Sequence, residues 1–114
     1  MTVYKRRANR DDNEREIVKA LRKMTAYVVQ LNGPVDLLVG WRGVTVLFEV
    51  KNPKSTSSRG TKLTADEARF FEEWRGGPLF KIESPDEAIR CLEGVWKENS
   101  MRGSPAMRRP ATPY

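Results

Sequence analysis

Residues 36–41 (DLLVGW) and 44–50 (VTVLFEV) are two apolar, β-rich runs with only Arg42-Gly43 between them. Runs joined by two residues that include a glycine read as an antiparallel hairpin, although arginine is not the preferred first residue of a primed turn. A two-residue turn sets Trp41 opposite Val44, and the same register sets Asp36 opposite Glu49. Strand alternation then puts Leu38, Leu47 and Lys51 on the face shared by the two carboxylates. A longer turn would make the carboxylates diagonal, and still close.

The rest of the chain arranges itself around this hairpin. Asp11 and Asp12 offer N-cap chemistry, and Ile17, Leu21 and Met24 repeat at i, i+4 and i+7, predicting an amphipathic helix over about residues 12–24. Residues 25–31 (TAYVVQL) read as a strand, broken by Asn32-Gly33-Pro34. Residues 52–62 are polar and predict a mobile loop. Thr64 with Glu67 has capping-box spacing and opens a helix through about Trp74, with Ala68, Phe71 and Trp74 apolar. Gly76-Gly77-Pro78 ends that helix, and residues 79–82 form a short fourth strand. Ser84, Pro85 and Glu87 mark a second capping box, followed by Ala88, Leu92 and Val95. The order α-β-β-β-α-β-α predicts an α/β chain of the α+β mixed-sheet kind, with four strands flanked by helices. One domain is expected over 11–98, between a basic tail at 1–10 and a Pro-rich, disordered tail at 99–114.

Composition narrows the chemistry. A chain of 114 residues supports one core. It has no histidine, which removes His-based triads and most zinc sites. The single cysteine, Cys91, cannot form an internal disulfide and points to a reducing, cytoplasmic setting. No run approaches the ~20 apolar residues of a membrane span, so no membrane partner is expected. The net charge is +6. Lys5, Arg6, Arg7 and Arg10 lie in the first ten residues, and Arg102, Arg108 and Arg109 in the last fourteen, both stretches without an acid. The surplus therefore belongs to the tails, and the stretch between them is slightly acidic.

Catalysis without histidine rests on carboxylates, lysines or a metal held by oxygen. Taken singly, Asp36 reads as an Asx-turn residue, Glu49 as a strand end and Lys51 as surface charge. Taken together on one face, the two carboxylates repel each other, and a divalent cation would remove the repulsion. Oxygen ligands suit Mg²⁺ or Mn²⁺. A lysine beside them can hold a phosphate oxygen or orient an attacking water.

These residues carry a family resemblance. The segment GPVDLLVG (residues 33–40), then Phe48-Glu49-Val50-Lys51 and Lys62-Leu63-Thr64, resembles the PD-(D/E)XK nuclease superfamily. With the LT-helix, the WRGG break and the SPDEA helix, the chain is similar to the standalone virus-type replication–repair nuclease (VRR-NUC) domains of bacteriophages, over about residues 11–92. The resemblance implies a restriction-endonuclease-like αβββαβα core. It implies that Asp36, Glu49 and the backbone carbonyl of Val50 ligate Mg²⁺ or Mn²⁺, and that Lys51 acts on water or the scissile phosphate. Glu16 matches a helical acid that can reach the same metal; it also reads as a solvated helix position. Glu67 stands where many members have a site glutamine, and its capping box explains it equally well. One departure is that Val35 intervenes between Pro34 and Asp36, where members usually have proline directly before the aspartate.

The implied activity is metal-assisted hydrolysis of DNA phosphodiesters, leaving 5′-phosphate and 3′-hydroxyl ends, on branched or junction DNA in phage replication, recombination or repair. A slightly acidic core needs local cations to hold DNA. Lys54, Arg59 and Lys62 in the loop after the second hairpin strand, with Arg42 at the turn, are the expected contacts. The resemblance implies a homodimer, and Leu92, Val95 and Trp96 are candidate dimer residues that read more readily as core. The rival expectation is a catalytically inactive DNA-binding or scaffold module with the same fold.

Overall fold

A computed structural model describes residues 11–54 and 61–102. Residues 1–10 and 103–114, expected as tails, and 55–60 of the loop lie outside the described residues. The seven elements follow in the expected order: α1 (Asp12–Lys23), β1 (Tyr27–Gln30), β2 (Leu37–Trp41), β3 (Val44–Val50), α2 (Ala65–Glu73), β4 (Leu79–Ile82) and α3 (Pro85–Arg102). The strands form one mixed sheet in the order β1-β2-β3-β4. The first two pairings are antiparallel, while β3 and β4 are parallel because α2 carries the chain across between them. This is an α+β fold with a four-stranded sheet flanked by three helices.

The hairpin turn has two residues, with Trp41 paired to Val44 and Leu38 to Leu47. Arg42 (φ 48°) and Gly43 (φ 84°) both take positive φ, as a type I′ turn demands, so arginine tolerates the position despite its Cβ. Alternation divides the hairpin cleanly. Leu37, Val39, Trp41, Val44, Val46 and Phe48 are buried on one face, against Ile17 and Leu21 of α1 and Ala88 and Leu92 of α3. Leu38 and Leu47 are half-buried on the other face. Leu92 is fully buried and Val95 and Trp96 pack against the core, so the proposed dimer residues serve the interior.

Local chemistry sets the boundaries. Asp11 caps α1 by accepting from the Glu14 N–H at 2.9 Å. At the other end, Ala26 donates to Leu21 O and Thr25 to Arg22 O, a Schellman pattern with Thr25 at φ 73°. That left-handed residue uses up the start of the expected strand, so β1 begins at Tyr27 rather than 25. The capping box on α2 is complete: Thr64 accepts from the Glu67 N–H, and Glu67 from the Thr64 N–H. Trp74 folds over Gly76 and donates to Gly77 O at 2.7 Å, where a side chain on Gly76 would collide with the indole. The Ser84 cap accepts from Glu87 N–H, but Glu87 returns its bond to the Glu83 N–H, one residue before the cap. Helix α3 then runs to Arg102, so residues 99–102, expected in the disordered tail, are helical.

Candidate functional site

The carboxylates meet at the end of the hairpin away from its turn. Asp36 is 1 % exposed and Glu49 2 % exposed. The ladder keeps the expected register but ends one pair short of Asp36, at Leu37 with Phe48. Instead, Asp36 donates its N–H to Phe48 O at 3.1 Å, and its Oδ2 accepts from the Val50 N–H at 2.8 Å. A side chain thus takes the place of a backbone group as the partner of the Val50 N–H. The two remain neighbours, and the Asp36 charge acts on Glu49.

Glu49 is the most stressed group in the fold. Its Oε1 is buried without a hydrogen-bond partner, a state that costs about 1–3 kcal/mol for a neutral acceptor and more for a charged one. Burial first, and the Asp36 carboxylate second, push Glu49 up to about 9, against the pull of Lys51. Strand pairing also places Glu49 beside Lys81 of β4, whose Nζ turns to Thr61 O at 3.0 Å.

Lys51 leaves β3 with its N–H bonded to Ile82 O and its Nζ between two acids, 2.7 Å from Glu67 Oε1 and 3.5 Å from Glu49 Oε2. Burial pulls Lys51 down, but the Glu67 hydrogen bond and the two carboxylate charges outweigh it and leave it raised. Burial likewise pushes Glu67 up, and its bonds from Lys51 and the Thr64 N–H more than reverse this. Glu67 uses one oxygen twice: Oε1 closes the capping box and accepts from Lys51 Nζ.

The helical acids are arranged differently from expectation. Glu16 is exposed and lines an open groove of about 560 Å³ with Asn13, Asn52, Lys54 and Glu83. Glu14 is the buried acid, 4 % exposed, with Oε2 accepting from Gln30 Nε2 at 3.3 Å. The missed signal was periodicity: Glu14 precedes Ile17 and Leu21 at the same helical spacing, so it lies on the apolar stripe. Among the described residues no cluster of three or more acids or cysteines converges on a metal position.

The expected DNA contacts are dispersed. Lys54 and Lys62 are exposed on either side of residues 55–60, and Arg59 lies outside the described residues. Arg42 is at the far end of the hairpin, stacked 4.5 Å from the Trp41 ring centroid and 4.9 Å from that of Trp96. At about 3.3 Å per residue, that is roughly 20 Å from the carboxylates. It does not join the site.

No family model, curated protein or solved structure matches the chain.

The donor set fits a hard divalent cation. Two carboxylates, Asp36 and Glu49, are hard oxygen donors, and among the described residues neither histidine nor cysteine is found at the site. Mg²⁺ is commonly held by one or two carboxylates and substrate phosphates, without a full protein cage. The orphaned Glu49 Oε1 is the atom such an ion would satisfy.

Proposed function

We propose that the chain is a metal-dependent deoxyribonuclease of the virus-type replication–repair kind. The observation that carries this reading is Glu49: a carboxylate buried beside Asp36 with one oxygen unpaired and a lysine within 3.5 Å of the other. A fold that needed only stability would replace such a group with an apolar one. Mg²⁺ or Mn²⁺, when bound, supplies charge neutralisation at a phosphoryl oxygen. Asp36 and Glu49, with the Val50 carbonyl, would hold the ion. Asp36 is itself fixed by the Val50 N–H, so the ligand is oriented by the strand that carries its partner. Lys51 faces the scissile phosphate or the attacking water, and Glu67 keeps its ammonium in place. Branched DNA as substrate, 5′-phosphate products, a homodimer and a place in phage DNA metabolism belong to the same proposal and rest on the family resemblance alone.

The test is cleavage of branched and linear DNA with Mg²⁺ or Mn²⁺, comparing the native chain with Asp36→Asn and Lys51→Ala. Asparagine keeps an acceptor for the Val50 N–H, so the fold is retained. Each variant is expected to lose about a hundredfold or more in rate. Binding of DNA by the native chain without any cleavage would favour the inactive scaffold instead. Equal cleavage by the variants would remove these residues from the site.

A further inference from the structure

Arg15, Lys19, Arg22 and Lys23 recur along α1 at i, i+4, i+7 and i+8, a spacing that gathers them on one flank of the helix. With Val18 and Gln30 they line a groove of about 570 Å³ between α1 and the edge strand β1, and no carboxylate lines it. Its cations belong to the folded body and not to the tails. Arg22 donates through Nη2 to Val28 O of β1 at 3.0 Å, which fixes the guanidinium at the groove with one of its five donors used. Arg15 pairs with Asp12 one turn back. Lys19 and Lys23 make no ion pair among the described residues. Four cations along one helix flank repel one another, and a polyanion relieves that repulsion.

The groove begins at the carboxylate end of the sheet. Asn13 Nδ2 donates to Lys51 O and Glu83 O, both at 2.9 Å, so the start of α1 is tied to the end of β3. Gln30 pairs with Leu37, the neighbour of Asp36, and also bonds Glu14. From Arg15 to Lys23 the helix rises about 12 Å. At about 3.4 Å of duplex axis per base-pair step, that length spans three to four steps of a duplex.

We propose that this groove on α1 holds the phosphate backbone of a DNA duplex arm leading away from the Asp36/Glu49 site. The direction of the arm rests on the nuclease reading; the affinity for the backbone rests on the groove's own charge.

Binding of a short fluorescein-labelled duplex is measured by anisotropy in EDTA over a range of salt concentrations, so that no cleavage enters the readout. The triple variant Arg15→Gln/Lys19→Gln/Lys23→Gln spares Arg22, which anchors β1. A control triple, Arg75→Gln/Arg90→Gln/Lys97→Gln, removes the same charge elsewhere. The groove variant is expected to bind about tenfold or more weakly, with the slope of log K against log salt reduced by about 2–3. The control is expected to change affinity by less than about threefold. Unchanged affinity and slope in the groove variant, equal losses in both triples, or no binding by the native chain would each overturn the proposal. Native binding in EDTA with no cleavage under Mg²⁺ or Mn²⁺ would instead sink the nuclease reading and leave the groove standing.

Discussion

The two ends of the β2–β3 hairpin carry opposite chemistries on the same pair of strands. At the turn, Trp41 is buried, its indole N–H donates to Met24 O at 3.0 Å, and Trp96 packs edge-on at 5.9 Å. Arg42 closes that end by stacking over both rings. At the opposite end, burial falls on Asp36 and Glu49, and one Glu49 oxygen is left without a partner. Burial at the turn therefore stabilises the fold, whereas burial at the carboxylate end works against it. On the nuclease reading proposed above, the second end is where stability is given up for chemistry.

The largest effect tests the turn end. Trp41→Ala removes a buried ring, its hydrogen bond and the platform under Arg42. It is expected to cost about 3–5 kcal/mol in denaturant unfolding, while the folded fraction retains the wild-type metal requirement. A cost below about 1 kcal/mol would mean that the turn end is no more vital to the fold than the surface.

The second effect has the opposite sign. Glu49 is raised from its ordinary 4.5 to about 9. Between those values the folded chain keeps a proton that the unfolded chain releases. Its contribution to stability is then full below about pH 4.5 and is lost as pH rises through about 9. Glu67, lowered, contributes in the other direction and only where acid begins to protonate it; Lys51, raised, is constant until well above neutrality. Over about pH 5.5 to 8.5 the melting temperature of the metal-free protein should therefore fall. Glu49→Gln should flatten that slope and melt higher at the alkaline end, by about 1–2 kcal/mol. Added Mn²⁺ should raise the melting temperature of the native protein at high pH and leave that of the variant unmoved. A native protein whose melting temperature is flat over this range would show that Glu49 is not held protonated, and the contrast between the ends would collapse.

What could be read in advance follows the range of the forces involved. The turn, the pairing of Trp41 with Val44 and the Thr64/Glu67 box all depend on residues a few positions apart, and the structure has them; the fourth strand is delimited locally by Gly76-Gly77-Pro78 although it pairs with distant β3. The site depends on longer reach. Asp36 leaves the ladder because the Val50 N–H is available to its side chain, a bond between residues on different strands. Glu14 shares the phase of the Ile17/Leu21 stripe one turn earlier, but its charge hides it from a pattern of apolar residues. Arg42 has the charge for a phosphate contact, and the structure stacks it over its neighbour Trp41 and over Trp96 of α3, at the end of the hairpin away from the carboxylates. The tail expected from 99 starts later, because α3, anchored by Leu92 in the core and Trp96 packed against it, carries on to Arg102. Tertiary packing decided each of these cases.

The smallest effect addresses how the carboxylate end is held from outside. Helix α2 buries no residue of its own, so its position depends on the cap and on the Lys51–Glu67 contact at 2.7 Å. Thr64→Ala removes the acceptor for the Glu67 N–H and should cost about 1 kcal/mol, taken from α2 and not from the core. Amide exchange within α2 should speed up about fivefold, while the core strands of the hairpin keep their protection. Cleavage should fall severalfold, since a loosened Glu67 no longer fixes the Lys51 ammonium, and Thr64→Ser should restore both. If exchange rises equally in α2 and in β2–β3, then α2 unfolds with the core, and the lysine is held as firmly as the tryptophans at the turn. If α2 alone loosens and cleavage does not change, Glu67 is a helix cap and nothing more. Loss of both together, with the core intact, would establish that the working end of the hairpin is steadied by a single shared carboxylate oxygen.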